Sequence, residues 1–286
     1  MNTKRFFLGM AGMIAIMAMF TACSQNEAED IAPISKSNVI SLTSSMETMR
    51  AASELQTNEL STSVKVGAFG VSGSATITNG NNNEYTVGST GTLTATNEMA
   101  WPSDASAKVS IYAYAPYQSG WSYNSANAFS VKTDQSSDAN YLASDYLFGQ
   151  AASFGNSAIQ NPILVTFDHM LAKVIVNVTA ADASVSVSGA KVVFGDPSSN
   201  NVELAYSINT TSGAIGTPSA TSKSSIVMAD AVAADGKCAA IVVPQTIANA
   251  QKLFTITLGT TTYTYTLPAA KTFTGGNVYT YNVSLR

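Results

Sequence analysis

Short alternating apolar runs, each closed by a turn signal and recurring roughly every 8–12 residues, are what most limits the folds open to this chain. Val109-Ser110-Ile111-Tyr112-Ala113-Tyr114-Ala115 is such a run, stopped by Pro116. Leu171–Thr179 is another: Ala172, Val174, Val176 and Val178 fall on one face, Lys173, Asn177 and Thr179 on the other. Leu253–Leu258, the turn Gly259-Thr260 and Thr262–Leu267 predict a hairpin, and Asp235-Gly236 marks a turn before the strand Cys238–Val243. Val64–Val71, Ala75–Thr78, Glu84–Val87 and Thr90–Thr96 repeat the pattern earlier, around the turn-rich Asn79–Asn83. Ala139–Phe148 has room for a brief helix, and Gly149–Asn161 is small and polar and is followed by Pro162, where a domain boundary is expected. The chain therefore reads as all-β, with two β-sandwich domains at 51–162 and 163–286.

Composition agrees. The 286 residues are 45% hydrophobic but only 11% charged, and Ser, Thr, Asn and Gly fill the polar positions. Long amphipathic helices need more Glu, Lys, Leu and Arg, so this is the composition of an extracellular β protein. A net charge of −4 with no basic cluster argues against a nucleic-acid partner, because phosphate neutralisation needs grouped Lys or Arg. Of the two cysteines, Cys23 and Cys238, the second sits in the apolar run Cys238–Val243 and is expected to be a buried thiol. No disulfide framework follows.

Catalysis is not expected. His169, the single histidine, adjoins Asp168, but neighbours on a strand point to opposite faces and cannot form a relay. A structural, hydrogen-bonded histidine is the expectation. A zinc site needs more nitrogen or sulfur ligands, and Asn79–Glu84 carries one acid where calcium loops space several. Phosphate loops and nucleophile elbows are missing, so neither cofactor nor metal is expected. Trp101, Tyr112, Tyr114, Tyr117, Trp121 and Tyr123 cluster in one window. They either pack a sheet or, if exposed on one face, stack on sugar rings as in a surface glycan-binding protein.

Residues 1–22 have a basic start, Lys4 and Arg5, and an apolar run from Phe6 to Phe20. That run is shorter than the ~20 apolar residues a membrane span needs and fits a secretory signal. Phe20-Thr21-Ala22-Cys23 resembles the lipobox of bacterial lipoproteins. The resemblance implies cleavage between Ala22 and Cys23, acylation of Cys23 by palmitate-type chains and anchoring at the cell outer membrane, with more than one chain for a stable hold. The acidic stretch Ser24–Asp30 resembles a surface-export signal; its alternative is a solvated tether.

Residues 23–50 form a tether and a first strand, Val39–Thr43, that ends in a polar hinge at Arg50-Ala51. Arg50 is the only arginine between Arg5 and Arg286, although lysines are scattered throughout. Such scarcity marks a single site for an arginine-specific protease; the alternative is a solvent-exposed hinge arginine.

Six segments together carry a wider resemblance: the lipobox leader, Arg50-Ala51, Ile111–Tyr117, Phe167–Val174, Val243-Pro244-Gln245-Thr246 and Gly276–Val283. In order and spacing they resemble the fimbrillin family, the type V pilins. That resemblance implies two transthyretin-like β-sandwich domains, lipoprotein export, and removal of the first strand by the arginine-specific protease. It further implies strand exchange with other pilus subunits, giving an adhesive fibre. The candidate donor is the last strand, Val278–Arg286, with Tyr279, Tyr281, Val283 and Leu285 on one face. Burying those four would supply roughly 6–12 kcal/mol before ordering costs, at roughly 1.5–3 kcal/mol each. The same alternation fits a strand that stays in its own sandwich. A tip or anchor adhesin of the same pilus, with a host receptor or glycan as partner, fits the sequence as well.

Overall fold

The computed structural model of the protein describes residues 38–46, 60–156, 161–182, 184, 186–218, 221–232 and 236–286. In the first half the elements are β1 (Val39–Ile40), β2 (Leu42–Met46), β3 (Lys65–Ser72), β4 (Ala75–Thr76), β5 (Asn83–Val87), β6 (Thr92–Thr94), β7 (Met99–Ala100), β8 (Val109–Ala115), β9 (Ala126–Ser130), α1 (Asp138–Ser144) and β10 (Leu147–Phe154). The second half runs β11 (Ile163–His169), β12 (Ala172–Ala180), β13 (Lys191–Phe194), β14 (Val202–Glu203), β15 (Ala205–Asn209), β16 (Lys223–Ser224), β17 (Ile226–Val227) and β18 (Ala229–Val232). It closes with β19 (Lys237–Val242), β20 (Gln245–Ile247), β21 (Lys252–Leu258), β22 (Thr261–Thr266), β23 (Lys271–Phe273) and β24 (Val278–Leu285). The protein is all-β but for one short helix among the described residues.

The largest sheet closes on itself. Its order is β4-β3-β5-β6-β2-β11-β10-β8, and β8 pairs back to β3, with Phe69 opposite Tyr112. Every neighbouring pair in it is antiparallel except β2 and β11. Closure leaves the ring strands without open edges and gives alternate side chains one interior to fill. Ile40, Leu42, Val66, Tyr85, Leu93, Met99, Trp101, Ile111, Val165 and Phe167 fill it.

A second apolar cluster is built mainly by two four-stranded sheets, β18-β19-β12-β24 and β17-β13-β21-β22. Val174, Val176, Phe194, Ile241, Phe254 and Phe273 belong to it. So do Phe69, Tyr114, Trp121, Phe129, Tyr146 and Phe148 from earlier in the chain, and β9 pairs with β15. The segment after β8 thus packs with the later strands, and residues 38–286 form one compact unit.

Three details depart from the sequence expectation. Gly149–Asn161, expected as a small, polar stretch at a domain boundary, opens as part of β10, which pairs with β8 on one side and β11 on the other. Its small residues carry little β signal because the neighbouring backbone is close: a Cβ on Gly149 would lie 2.6 Å from the Thr166 carbonyl oxygen. Tertiary pairing overrides propensity there. Lys173, expected on an outer face, is only 1% exposed. Its ammonium sits 5.8 Å from the centre of the Tyr141 ring, so α1 covers the face left open by the alternation pattern. Finally, the expected strand Leu171–Thr179 is buried on both faces over Ala172–Val176.

The helix is short but locally encoded. Ser137 caps it by accepting from the Asn140 N–H, and Asp138 supplies an acid in the first turn.

Two outcomes follow from this packing. Gly149→Val forces a side chain against the Thr166 backbone and is expected to cost about 1–3 kcal/mol in urea denaturation; an unchanged midpoint would contradict the close β10–β11 approach. Burial pushes the Cys238 thiol up to about 12, with the Asp230 carboxylate adding to it. In a Cys23→Ser chain, Cys238 is therefore expected to resist iodoacetamide at pH 8 while folded and to react once denatured.

Candidate functional site

The N-terminal segment Asn38–Met46 reaches two sheets in nine residues. β1 pairs with β7, Val39 opposite Ala100 and Ile40 opposite Met99. The Trp101 N–H adds a bond to the Asn38 carbonyl at 2.9 Å. β2 then enters the closed sheet between β6, antiparallel, and β11, parallel. Leu42 faces Leu93 on one side and Ile163 on the other. Ile40 and Leu42 are both fully buried. At roughly 1.5–3 kcal/mol per side chain, their burial alone stabilises the seat by about 3–6 kcal/mol.

The ends of the seat are held by groups outside the ladder. Asn161 Oδ1 accepts from the Ser41 N–H at 2.7 Å, and its Nδ2 donates to the Val39 carbonyl at 3.0 Å. The Ile163 N–H donates to the Ser41 carbonyl at 2.8 Å. Farther along, the Gly91 carbonyl accepts from both the N–H and the hydroxyl of Ser44, each at 2.8 Å. Gly91 has φ +77°, and a Cβ there would lie 2.6 Å from the Ser44 carbonyl oxygen. A glycine is thus required both by the turn and by the approach of β2. Ser45 and Thr166 share a hydroxyl bond at 3.0 Å on the β11 side. Among these residues, neither Asn161 nor Gly91 stands out in the sequence: one ends a small, polar stretch and the other is a glycine beside a predicted strand.

The candidate donor strand is β24. It runs parallel to β12 and forms the edge of its sheet. Tyr279 packs edge-on against Phe273 at 4.9 Å and Tyr281 against Phe254 at 5.0 Å. Val283 borders the same core and Leu285 is buried in it. Burial raises the Tyr281 phenol to about 12, with Tyr265 and Tyr279 adding to it. All four named side chains therefore already serve the chain's own second cluster.

Cys23, Ala22, Arg50 and Ala51 lie outside the described residues. His169 does not pair with Asp168; its Nδ1–H points to Asp145 Oδ2, 2.9 Å away, with both side chains more than nine-tenths buried. This bond ties the end of β11 to the residue that caps α1, a structural task that needs no relay. Trp101 and Trp121 are buried, and Trp121 stacks on Tyr114 at 4.4 Å. The aromatic window is core packing, so these tryptophans offer no exposed platform for a sugar.

A family model described as fimbrillin-like matches residues 50–286. The chain is a member of the fimbrillin-like family. No curated protein sequence matches it. Among solved structures, this fimbrillin-like protein is similar to a proposed cell adhesion protein of Bacteroides ovatus, at 19% identity and a TM-score of 0.67, over 86% of this chain and 91% of that one. A proposed cell adhesion protein of Bacteroides uniformis gives 21% identity and a TM-score of 0.63, over 86% and 92%. The tip fimbrial protein of Porphyromonas gingivalis, in a C-terminally truncated form, gives 9% identity and a TM-score of 0.51, over 86% and 95%. At these identities the likeness is one of fold.

The seat makes its own forecast. Leu42→Ala removes a fully buried side chain between three strands and is expected to lower stability by about 2–5 kcal/mol in urea denaturation. Thr43→Ala, at a partly exposed position of the same strand, is expected to change it by under about 1 kcal/mol. Equal effects would mean that β2 does not carry the seat through its inner face.

Proposed function

We propose that this fimbrillin-like protein is a structural subunit of a cell-surface pilus, made as an outer-membrane lipoprotein and assembled by strand exchange after proteolysis. In this reading residues 1–22 are the signal, Cys23 is the lipidated residue, and 23–50 form a removable propeptide. The body is read as two tandem transthyretin-like sandwiches, at 51–162 and 163–286 by sequence, with β11 completing the first sheet and β9 joining the strands of the second half. The observation that carries the reading is the position of β2: it lies inside a closed sheet, bonded on both edges, only four residues before Arg50. A segment so placed can be cut free at its C-terminal end without breaking the rest of the chain. Its departure bares β6 and β11, two facing strand edges above an apolar gap, which is a template for another strand. Head-to-tail filling of such gaps does not close and produces a filament. The start of the family match at residue 50 supports a functional boundary there.

A second reading has one observation in its favour. The apolar face of β24 is already packed on its own core, as suits a tip or anchor subunit that accepts a strand but donates none.

Arg50→Ala tests the proposal. Cells making this variant are expected to carry a chain about 28 residues longer, measured from Cys23, and no fibres by electron microscopy. Normal fibres with unchanged chain length would reject processing at Arg50.

A further inference from the structure

The sheet β17-β13-β21-β22 ends in β22, and no described strand pairs with its outer edge. The two-residue turn Gly259-Thr260 makes Leu258 and Thr261 the first hydrogen-bonded pair of the hairpin. Odd-numbered residues of β22 therefore bond to β21, as Leu267 does with Ala250 and Gln251 just past the strand. The main-chain N–H and C=O groups of Thr262, Thr264 and Thr266 point out of the sheet edge. Proteins blunt such an edge with charge, proline or extreme shortness. Among the outer strands of the three larger sheets, β4 and β17 have two residues each, β18 exposes Asp230 and β24 ends against Arg286. β22 has six residues, no proline inside it, and lies within residues 253–270, which carry no charge. Its inner face is unsealed as well. Tyr263 and Tyr265 are half-buried, and a groove of about 450 Å³ opens between β22 and β24, lined by Tyr265, Tyr279 and Tyr281.

We propose that β22 pairs with β22 of a second copy of this chain, antiparallel, about a two-fold axis at Thr264. The occupant is read from the order of the strand: Thr262-Tyr263-Thr264-Tyr265-Thr266 is the same in both directions. The two-fold sets Thr264 against Thr264 in a pair that exchanges both main-chain bonds, and Thr262 against Thr266 in another. Those are the residues whose main-chain groups the hairpin leaves open. Tyr263 then faces Tyr265 of the second copy in the intervening non-hydrogen-bonded pair, where side chains approach most closely and aromatic pairs add stability. These rings lie on the inner face, so groove meets groove and the half-buried tyrosines of both copies line one apolar seam. A two-fold also sets each charge near the axis beside its own copy, and a neutral strand incurs no such repulsion. The pairing goes beyond the strand-exchange reading and does not depend on it, because this edge is open with β2 in place. In a pilus subunit such an edge ties one filament to the next, side to side.

The test uses the Cys23→Ser chain and sedimentation velocity. Pairs are expected to form as concentration rises, and to be present by about 1 mM. Thr264→Lys changes an exposed side chain, so the fold stands, and it sets two ammonium groups against each other. It is expected to weaken pairing about tenfold or more, as is Thr264→Glu. An equimolar mixture of the two variants is expected to regain the pair, and Thr264→Val, neutral and β-branched, to keep it. Cross-linking reads the register. Under mild oxidation Thr264→Cys is expected to give a product of doubled mass, because facing hydrogen-bonded residues lie about 5.5 Å apart between Cα atoms, within disulfide reach. Thr262→Cys is not, since position 262 of the second copy stands roughly 14 Å away along the strands. A chain that stays single up to about 1 mM would overturn the proposal. So would a pair that ignores Thr264→Lys, a mixture of the Lys and Glu variants that stays single, or cross-linking at both positions alike.

Discussion

A strand in the middle of a closed sheet has no edge to spare, and that constraint organises the N-terminal part of this molecule. β2 is hydrogen-bonded to β6 on one side and β11 on the other, and the ring through β3, β5, β8 and β10 depends on it for closure. Its inward Leu42, and Ile40 of the adjoining β1, are buried as completely as any side chains in the core. Yet with β1 it comes first among the described strands, and the two join the later strands of the chain only through the C-terminal end of β2. Structural indispensability and covalent dispensability meet in one segment. The physics of unpaired edges then dictates what its removal does: buried donors, acceptors and apolar surface become available together.

The parallel pairing of β2 with β11 is the less obvious half of this design. Strands whose paired residues lie 121 positions apart in sequence meet here, and the seat is also bonded at its two ends, by Asn161 at the entrance and Gly91 farther in. These contacts address main-chain atoms and one small hydroxyl. The second cluster also contains a parallel pairing: β24 lies against β12 at the edge of its sheet, with aromatic side chains sealing the core beneath it. The two parallel pairings involve β2, near the start of the described residues, and β24, the last strand.

Much of this was legible in the chain itself. Val109–Ala115 is a strand from end to end, and the hairpin around Gly259 is β21 and β22. Alternation and turn residues are local signals, and they located these elements because the local preference agrees with the final packing. β10 escaped because its small residues answer to the backbone of β11, not to any strand preference of their own. Lys173 escaped because a helix 30 residues earlier covers it, which no periodicity in its own strand reveals. His169 reads as a structural, hydrogen-bonded histidine and is one; only its partner was hidden, because Asp145 lies in a different element. Asn161 and Gly91 were invisible for the same reason: their roles exist only once distant segments meet.

The most direct measurement is hydrogen–deuterium exchange of the chain before and after cleavage at Arg50 and release of the N-terminal segment. The account predicts that amides of Thr92–Thr94 and Ile163–His169 lose protection together, while those of β21, in the other cluster, keep theirs. Unchanged protection of β6 and β11 after release would contradict it, because no slot would then have opened.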